Sequence, residues 1–236
     1  MLLETVSVPA RFSGPPNSGN GGYTCALLAR HIGNPAEVTL RKPIPIERAM
    51  QVVRDGDTFK LMAGEELIAE GKPTTIDLEL PKLVSYAEAH AAAEQSPAFK
   101  DHPFPTCFVC GPQRPHGDGL RIFPGIIGES AIGHTFACGW QPAREFADSS
   151  GHVRPEFIWS AMDCPTGFAG GFPYMGKLVT GRLAVKLVAP VRAEEKCVIM
   201  SWPLGIDGRK HHAAAALFGE DGTVRAEAKA TWIKLD

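Results

Sequence analysis

Glu66-Leu67-Ile68-Ala69-Glu70-Gly71-Lys72 resembles Thr223-Val224-Arg225-Ala226-Glu227-Ala228-Lys229 in letters and in alternation, and each stretch follows a segment that reads as a strand ending in proline, at Pro45 or at Pro190. One strand is written twice. The interval from Pro45 to Ala69 is 24 residues and that from Pro190 to Ala226 is 36, which predicts longer strands or loops in the second copy. Upstream of the first copy, Asn17-Ser18-Gly19-Asn20-Gly21-Gly22 reads as a glycine-rich loop opening a helix over 23–32, with Gly33 as its stop. Residues 25–29 are apolar on every side, so this helix is expected to be buried. Period-two alternation then predicts strands over 36–41, 50–54, 58–63 and 66–75.

The second half repeats the order. Strands are predicted over 120–123 and 130–138. A helix follows from Pro155, whose missing N–H suits a first helical position. Four more strands are predicted over 183–191, 195–202, 211–218 and 224–235, the last two joined by Gly219-Glu220-Asp221-Gly222. A repeat of about 110 residues is too long to be a solenoid unit. Between the copies, residues 86–95 are rich in alanine and glutamate and predict a connecting helix, and Pro97, Pro103 and Pro105 mark a linker. The expected division is residues 1–81, a linker over 82–105, and residues 106–236.

The 236 residues are 44% hydrophobic and 21% charged, enough for a real core and unlike a disordered chain. With 24 basic and 26 acidic residues the formal net charge is -2. That leaves no electrostatic case for a nucleic-acid or membrane-surface binder, so a small-molecule or protein partner is expected. Glycine (25) and proline (20) exceed their usual shares of about 7% and 5%, which implies many turns. The six cysteines, at positions 25, 107, 110, 138, 164 and 197, lie in a chain too long to need disulfide staples. Several sit in apolar runs, where a reduced thiol behaves as a small hydrophobe. Residues 1–12 show no basic region followed by a long apolar stretch, and no run approaches the ~18 apolar residues of a membrane span. A cytoplasmic protein is expected.

Four features in order carry a resemblance: Asn20-Gly21-Gly22 before the first helix, Cys107-Phe108-Val109-Cys110-Gly111 followed by Gly119-Leu120-Arg121, the helical stretch 157–163, and Gly208-Arg209-Lys210 ahead of a late strand. Together they resemble the hotdog-fold thioesterase superfamily in its double-hotdog arrangement, over most of the chain. The resemblance implies an α+β fold in which two antiparallel sheets each wrap a long buried helix and pack as a pseudo-dimer. It also implies an acyl-CoA thioesterase, with coenzyme A as part of the substrate and no other cofactor. An exposed sheet edge would allow a homodimer. In the phenylacetyl-CoA-type branch a His-Gly-Gly opens the helix and an acid follows seven residues after the second glycine. Here the first copy has Asn20-Gly21-Gly22 but Ala29 at the acid position, and the second has Arg154-Pro155-Glu156 and then Asp163. Each copy lacks what the other keeps, which favours one composite site over two equivalent ones.

Thioester hydrolysis needs donors for a developing oxyanion and a group that delivers water. The amides of Gly21 and Gly22, with Tyr23, stand at a helix N-terminus, where unpaired N–H groups and the positive end of the dipole coincide. A tight turn would explain the same glycines. Asp163, expected in a buried helix, must be paired or put to use. It is a general base to water, a nucleophile forming a mixed anhydride, or an ion-pair partner of Arg154, Arg182 or Lys186. At 100° per residue Glu156, Trp159, Ser160 and Asp163 share one face. Ser160 and Thr166 are candidates to hold the attacking water, and Pro165 is expected to kink or end the helix. Glu156 is the second acid, although the helix dipole alone explains an acid in a first turn.

Asn20 stands where hydratase chemistry would want a histidine. Arg209 and Lys210 would suit the phosphates of coenzyme A, or belong to a solvated hairpin. Tyr23, Glu156, Trp159, Ser160, Thr166, Arg209 and Lys210 are thus the expected substrate contacts. Cys164 reads as a buried structural thiol. Cys107 and Cys110 would need His116 or Cys138 to complete a zinc site, and without a second paired motif no metal is expected. The alternative to an enzyme is a non-catalytic module that binds acyl-CoA or another small ligand.

Overall fold

Asn20 starts helix α1 (Gly21–Ala29) by accepting the Tyr23 N–H on Oδ1 at 2.9 Å, satisfying one of the donors that a first helical turn leaves open. All nine residues of α1 are buried. The helix closes where the Gly33 amide returns to the Ala29 carbonyl, with Gly33 at φ +121°, a conformation that favours glycine. The computed structural model describes residues 1–171 and 178–235. Strand β1 (Leu2–Val6) precedes α1, and β2 (Ala36–Leu40), β3 (Met50–Asp55), β4 (Thr58–Ala63) and β5 (Glu66–Pro73) follow it. Helix α2 (Tyr86–Glu94) opens at a capping box in which Ser85 and Glu88 satisfy each other's backbone N–H groups. Then come β6 (Gly125–Ser130), β7 (Gly133–Trp140), α3 (Pro155–Gly171), β8 (Leu178–Leu187), β9 (Cys197–Asp207), β10 (Lys210–Phe218) and β11 (Val224–Lys234).

Two local expectations change. Residues 120–123 form no strand: the Leu120 and Ile122 amides bond the carbonyls of Phe108 and Val109, so this buried apolar run is tied to the Cys107–Cys110 turn. Helix α3 does not end at Pro165 but continues to Gly171. Pro165 removes one backbone donor, and burial of the surrounding turns outweighs that loss.

The strands form one sheet in the order β1-β3-β4-β5-β2-β8-β11-β10-β9-β7-β6. The expectation of two separate sheets is therefore corrected. Strands β2 and β8 pair antiparallel at a central seam, with Val38 opposite Leu183 and Thr39 opposite Arg182. Left apart, each would be an open edge with a row of unpaired N–H and C=O groups, and pairing satisfies both rows. Outward from the seam the succession is β2, β5, β4, β3, β1 in the first arm and β8, β11, β10, β9, β7, β6 in the second. Each arm sets the strand that follows its helix at the seam and the twice-written strand next to it. Strands β9, β10 and β11 have 11, 9 and 11 residues against 6, 6 and 8 for β3, β4 and β5, which accounts for the longer second interval.

Helix α3 packs against β7 to β11 and against α1. On the opposite face of the second arm, Ala89 of α2 joins Ala137, Val198, Met200, Ala216 and Phe218 in a smaller apolar cluster. Covered from both sides, β10 is buried at every residue from Ala213 to Phe218 and loses the in-out alternation of a half-exposed strand.

The helices meet so closely that a Cβ on Gly22 would stand 2.6 Å from the Trp159 carbonyl oxygen and 2.8 Å from Ser160 Cα. Those are backbone atoms and cannot rotate away. Gly22→Ala is expected to cost about 1–3 kcal/mol, read as a lower Tm in thermal denaturation. Gly128→Ala, where no atom lies within 4 Å of the new Cβ, should leave Tm nearly unchanged.

Candidate functional site

Asp163 projects from α3 toward the first turn of α1. Its Oδ2 accepts the Gly22 N–H at 2.9 Å and its Oδ1 accepts the Thr180 hydroxyl of β8 at 2.8 Å. The residue is 1% exposed. Burial pushes its pKa up to about 7, against the two hydrogen bonds, which favour the charged form. The alternative of an ion pair is not realised: Arg154 lies 3.5 Å from Glu156, Arg182 3.7 Å from Glu37 and Lys186 3.1 Å from Glu227.

Beside this carboxylate is a cavity of about 480 Å³ bordered by both arms. Asn20, Gly21 and Ile44 come from the first, and Asp163, Phe168, Thr180 and Trp232 from the second. Gly21 makes the approach possible, because a Cβ there would stand 2.9 Å from Thr180 Oγ1 and 3.1 Å from Asp163 Oδ2. Of the three amides expected to receive an oxyanion, that of Gly22 donates to Asp163 and that of Tyr23 to Asn20 Oδ1. The Gly22 and Tyr23 amides are thus engaged within the protein, and Gly21 stands at the cavity wall. Asn20 also borders the cavity, in the role of a helix cap.

The cavity lies along the C-terminal half of α3, where Asp163, Cys164, Gly167 and Phe168 face it at helical spacing. Glu156, Trp159 and Ser160 lie a turn or two earlier, and none of them is among the described residues that border the cavity. Ser160 Oγ donates to the Glu156 carbonyl at 2.7 Å. Tyr23 turns into an aromatic cluster, stacked on Phe12 with ring centroids 4.2 Å apart. Thr166 Oγ1 donates to the Asp163 carbonyl at 2.6 Å and accepts the Trp232 indole N–H at 2.8 Å. None of these five residues, expected as substrate contacts, is among the described residues that border the cavity. Arg209 and Lys210 lie exposed at the β9–β10 turn, Lys210 opposite Asp207. Among the described residues, the cations that border the cavity are instead Arg41 and Lys42, beside Glu70 and Glu66.

Two components were missed. Thr180 falls before the strand start read at residue 183, because Gly181 interrupts the apolar pattern. The thiol of Cys164 is not isolated: it lies 3.8 Å from that of Cys107, and the sulfurs of Cys107, Cys110 and Cys164 are all within 4.8 Å of one another. Of the two residues that could have completed a site with Cys107 and Cys110, Cys138 is on β7 and His116 is exposed.

No protein-family model matches the chain, and no curated protein matches it. Solved structures do. The tesB protein of Mycobacterium avium subsp. paratuberculosis superposes with a TM-score of 0.64 at 9% identity. The acyl-CoA thioesterase II TesB2 of Mycobacterium marinum gives 0.62 at 10%, and a conserved protein of unknown function with hot dog fold from Alicyclobacillus acidocaldarius gives 0.59 at 12%. In each case the alignment covers 100% of this chain and 96% of the other. At such identities the likeness is one of fold, and the fold is the double hotdog, carried whole in a single chain.

Proposed function

We propose that this protein hydrolyses acyl-CoA thioesters in the cavity between its arms, with Asp163 as the group that activates water. The observation that carries the reading is the placement of Asp163: a buried carboxylate held by Gly22 and Thr180, beside the helix-mouth amide of Gly21, at the wall of an apolar cavity. A volume of about 480 Å³ falls in the usual range for small-molecule sites and suits a small or medium acyl group. That the Mycobacterium marinum neighbour is an acyl-CoA thioesterase supports the same reading.

In this mechanism Ile44, Phe168, Leu178 and Trp232 surround the acyl chain, and Arg41 and Lys42 meet the phosphates of coenzyme A. The carbonyl oxygen turns to the Gly21 amide, where the helix N-terminus favours negative charge. The Asp163 carboxylate takes a proton from water as the water oxygen bonds to the carbonyl carbon. Collapse of the tetrahedral intermediate breaks the carbon–sulfur bond, and the departing thiolate takes up the proton.

Release of free thiol from a panel of acyl-CoA esters tests the proposal. Turnover is expected, and Asp163→Asn should lower it by about 10² or more. Undiminished hydrolysis in that variant removes Asp163 from the mechanism. Saturable acyl-CoA binding without turnover in the wild type makes the protein a binding module instead.

The variant is expected to fold, since an asparagine amide can accept from Gly22 and donate to Thr180. The folded pKa of about 7 lies above the ordinary 3.8, so between these values the folded state holds a proton that the unfolded state gives up, and stability falls as pH rises through that window. Asp163→Asn should therefore melt above the wild type at pH higher than about 7, with the gap closing toward 3.8 in a pH series of Tm values.

A further inference from the structure

We propose that Cys107, Cys110 and Cys164 bind one zinc ion in the cavity wall, with the fourth coordination position filled from the cavity by water or by a donor atom of its ligand.

The first two sulfurs come from a tight turn. In Cys107-Phe108-Val109-Cys110-Gly111 the Gly111 amide returns to the Cys107 carbonyl at 2.9 Å. A Cβ on Gly111 would stand 2.5 Å from the Cys107 nitrogen and oxygen, so the turn closes only around glycine. The Cys107 sulfur lies 3.8 Å from that of Cys164 and, with that of Cys110, completes a group of three within 4.8 Å. The CxxCG turn thus sets two sulfurs within 4.8 Å of each other, a preformed holder for thiolates. The third sulfur arrives from α3, more than fifty residues later.

The spacing matches a single ion. Zinc–sulfur bonds of ~2.3 Å in a tetrahedron set sulfurs ~3.8 Å apart. The Cys107 and Cys164 sulfurs are 3.8 Å apart, and all three are within 4.8 Å. A disulfide needs ~2.05 Å, and all six cysteines are free thiols. Three soft sulfurs exclude calcium or magnesium as the preferred occupant and favour zinc.

His102 braces the cluster. Its Nδ1 accepts the Phe104 N–H at 2.9 Å, so the neutral ring carries its proton on Nε2, 3.2 Å from Cys110 Sγ. His102 thereby donates to a ligand sulfur and acts as a positioning residue. Three thiolates and one divalent ion leave a net single negative charge, which the His102 donor offsets in part. Each thiol loses its proton as its sulfur–metal bond forms.

The fold gives the ion a task. Residues 101–124 contain no helix or strand, yet Phe108, Val109 and Cys110 are buried. Irregular segments of that length inside a compact domain are uncommon without a tie. A metal shared by Cys110 and Cys164 would fasten this one to α3. Cys107, Cys110, Cys164 and His102 all border the cavity that Asp163 borders. The site stands on these contacts whether or not the cavity hydrolyses thioesters.

Metal content of the full chain, expressed with zinc supplied and measured by mass spectrometry of the elements, should approach one zinc per chain. Cobalt(II) added to the metal-free chain should give thiolate-to-cobalt charge-transfer absorption and the intense visible bands of a tetrahedral ion. Cys107→Ser and Cys164→Ser should lose both signals, and Cys138→Ala, at a buried thiol elsewhere, should keep them. His102→Ala should weaken zinc binding by about 10–100-fold while leaving its stoichiometry. Absence of zinc together with absence of cobalt–thiolate absorption in the wild type overturns the proposal, even if the serine variants do not fold. So does undiminished metal binding in both serine variants, or a wild-type chain isolated with a disulfide between these cysteines and no metal. A site that fills while acyl-CoA esters remain intact upholds the metal and removes only the hydrolase reading.

Discussion

Across the helix pair, the Gly22 amide reaches Asp163 Oδ2 at 2.9 Å, and the Thr180 hydroxyl reaches the other oxygen at 2.8 Å. A buried carboxylate with no cation paired to it among the described residues is costly, and these donors offset part of that cost, the remainder showing as the raised pKa. Much of the architecture follows from keeping them in reach. Helix α1 must lie against α3 so closely that a single methyl would strike the Trp159 carbonyl. Asn20 must hold the first turn in place. Strand β8 must bring Thr180 beside α3, and β2, leaving α1, is delivered next to β8. The helix contact and the sheet seam are two expressions of one requirement.

The cavity inherits its character from the same arrangement. Its polar points include Asp163, Thr180, Arg41, Lys42 and His102, while much of the remaining wall is aliphatic or aromatic. One side is formed by regular elements. Another includes residues 102–110, which have no helix or strand of their own and are tied by single hydrogen bonds such as that of the Phe108 amide to the Ser13 carbonyl. A rigid side and a tied side can respond differently to a ligand, because regular elements resist displacement through their backbone ladders and loops do not.

Elements with a local signature were legible in the sequence. Strands β2 to β5, the stop at Gly33 and the buried character of α1 follow from alternation, from a residue suited to positive φ and from unbroken apolarity. The repeated strand put β5 and β11 in equivalent places, and the offset between copies paired the glycines with Asp163. Pairing of β2 with β8 was not legible, because no local pattern separates an edge strand from one that meets a distant partner. The shared face of Glu156, Trp159, Ser160 and Asp163 was legible, but helical spacing does not say that the cavity touches only part of that face. Thr180 was hidden by Gly181, and Cys164 was read as isolated because its thiol neighbours lie more than fifty residues away in the chain.

Counted from the first residue of each helix, Asp163 of α3 corresponds to Ala29 of α1, and Gly21 and Gly22 correspond to Pro155 and Glu156. In an assembly of two identical chains, one helix would have to carry both the glycine mouth and the acid, and every substitution would be made twice. A chain that holds both arms escapes that duplication of consequence. A mutation alters one side of the seam alone, so α1 is free to specialise in close approach while α3 keeps a charge. The two helices can thus differ at equivalent positions, as they do at Ala29 and Asp163, in a way that a symmetric pair of identical chains could not.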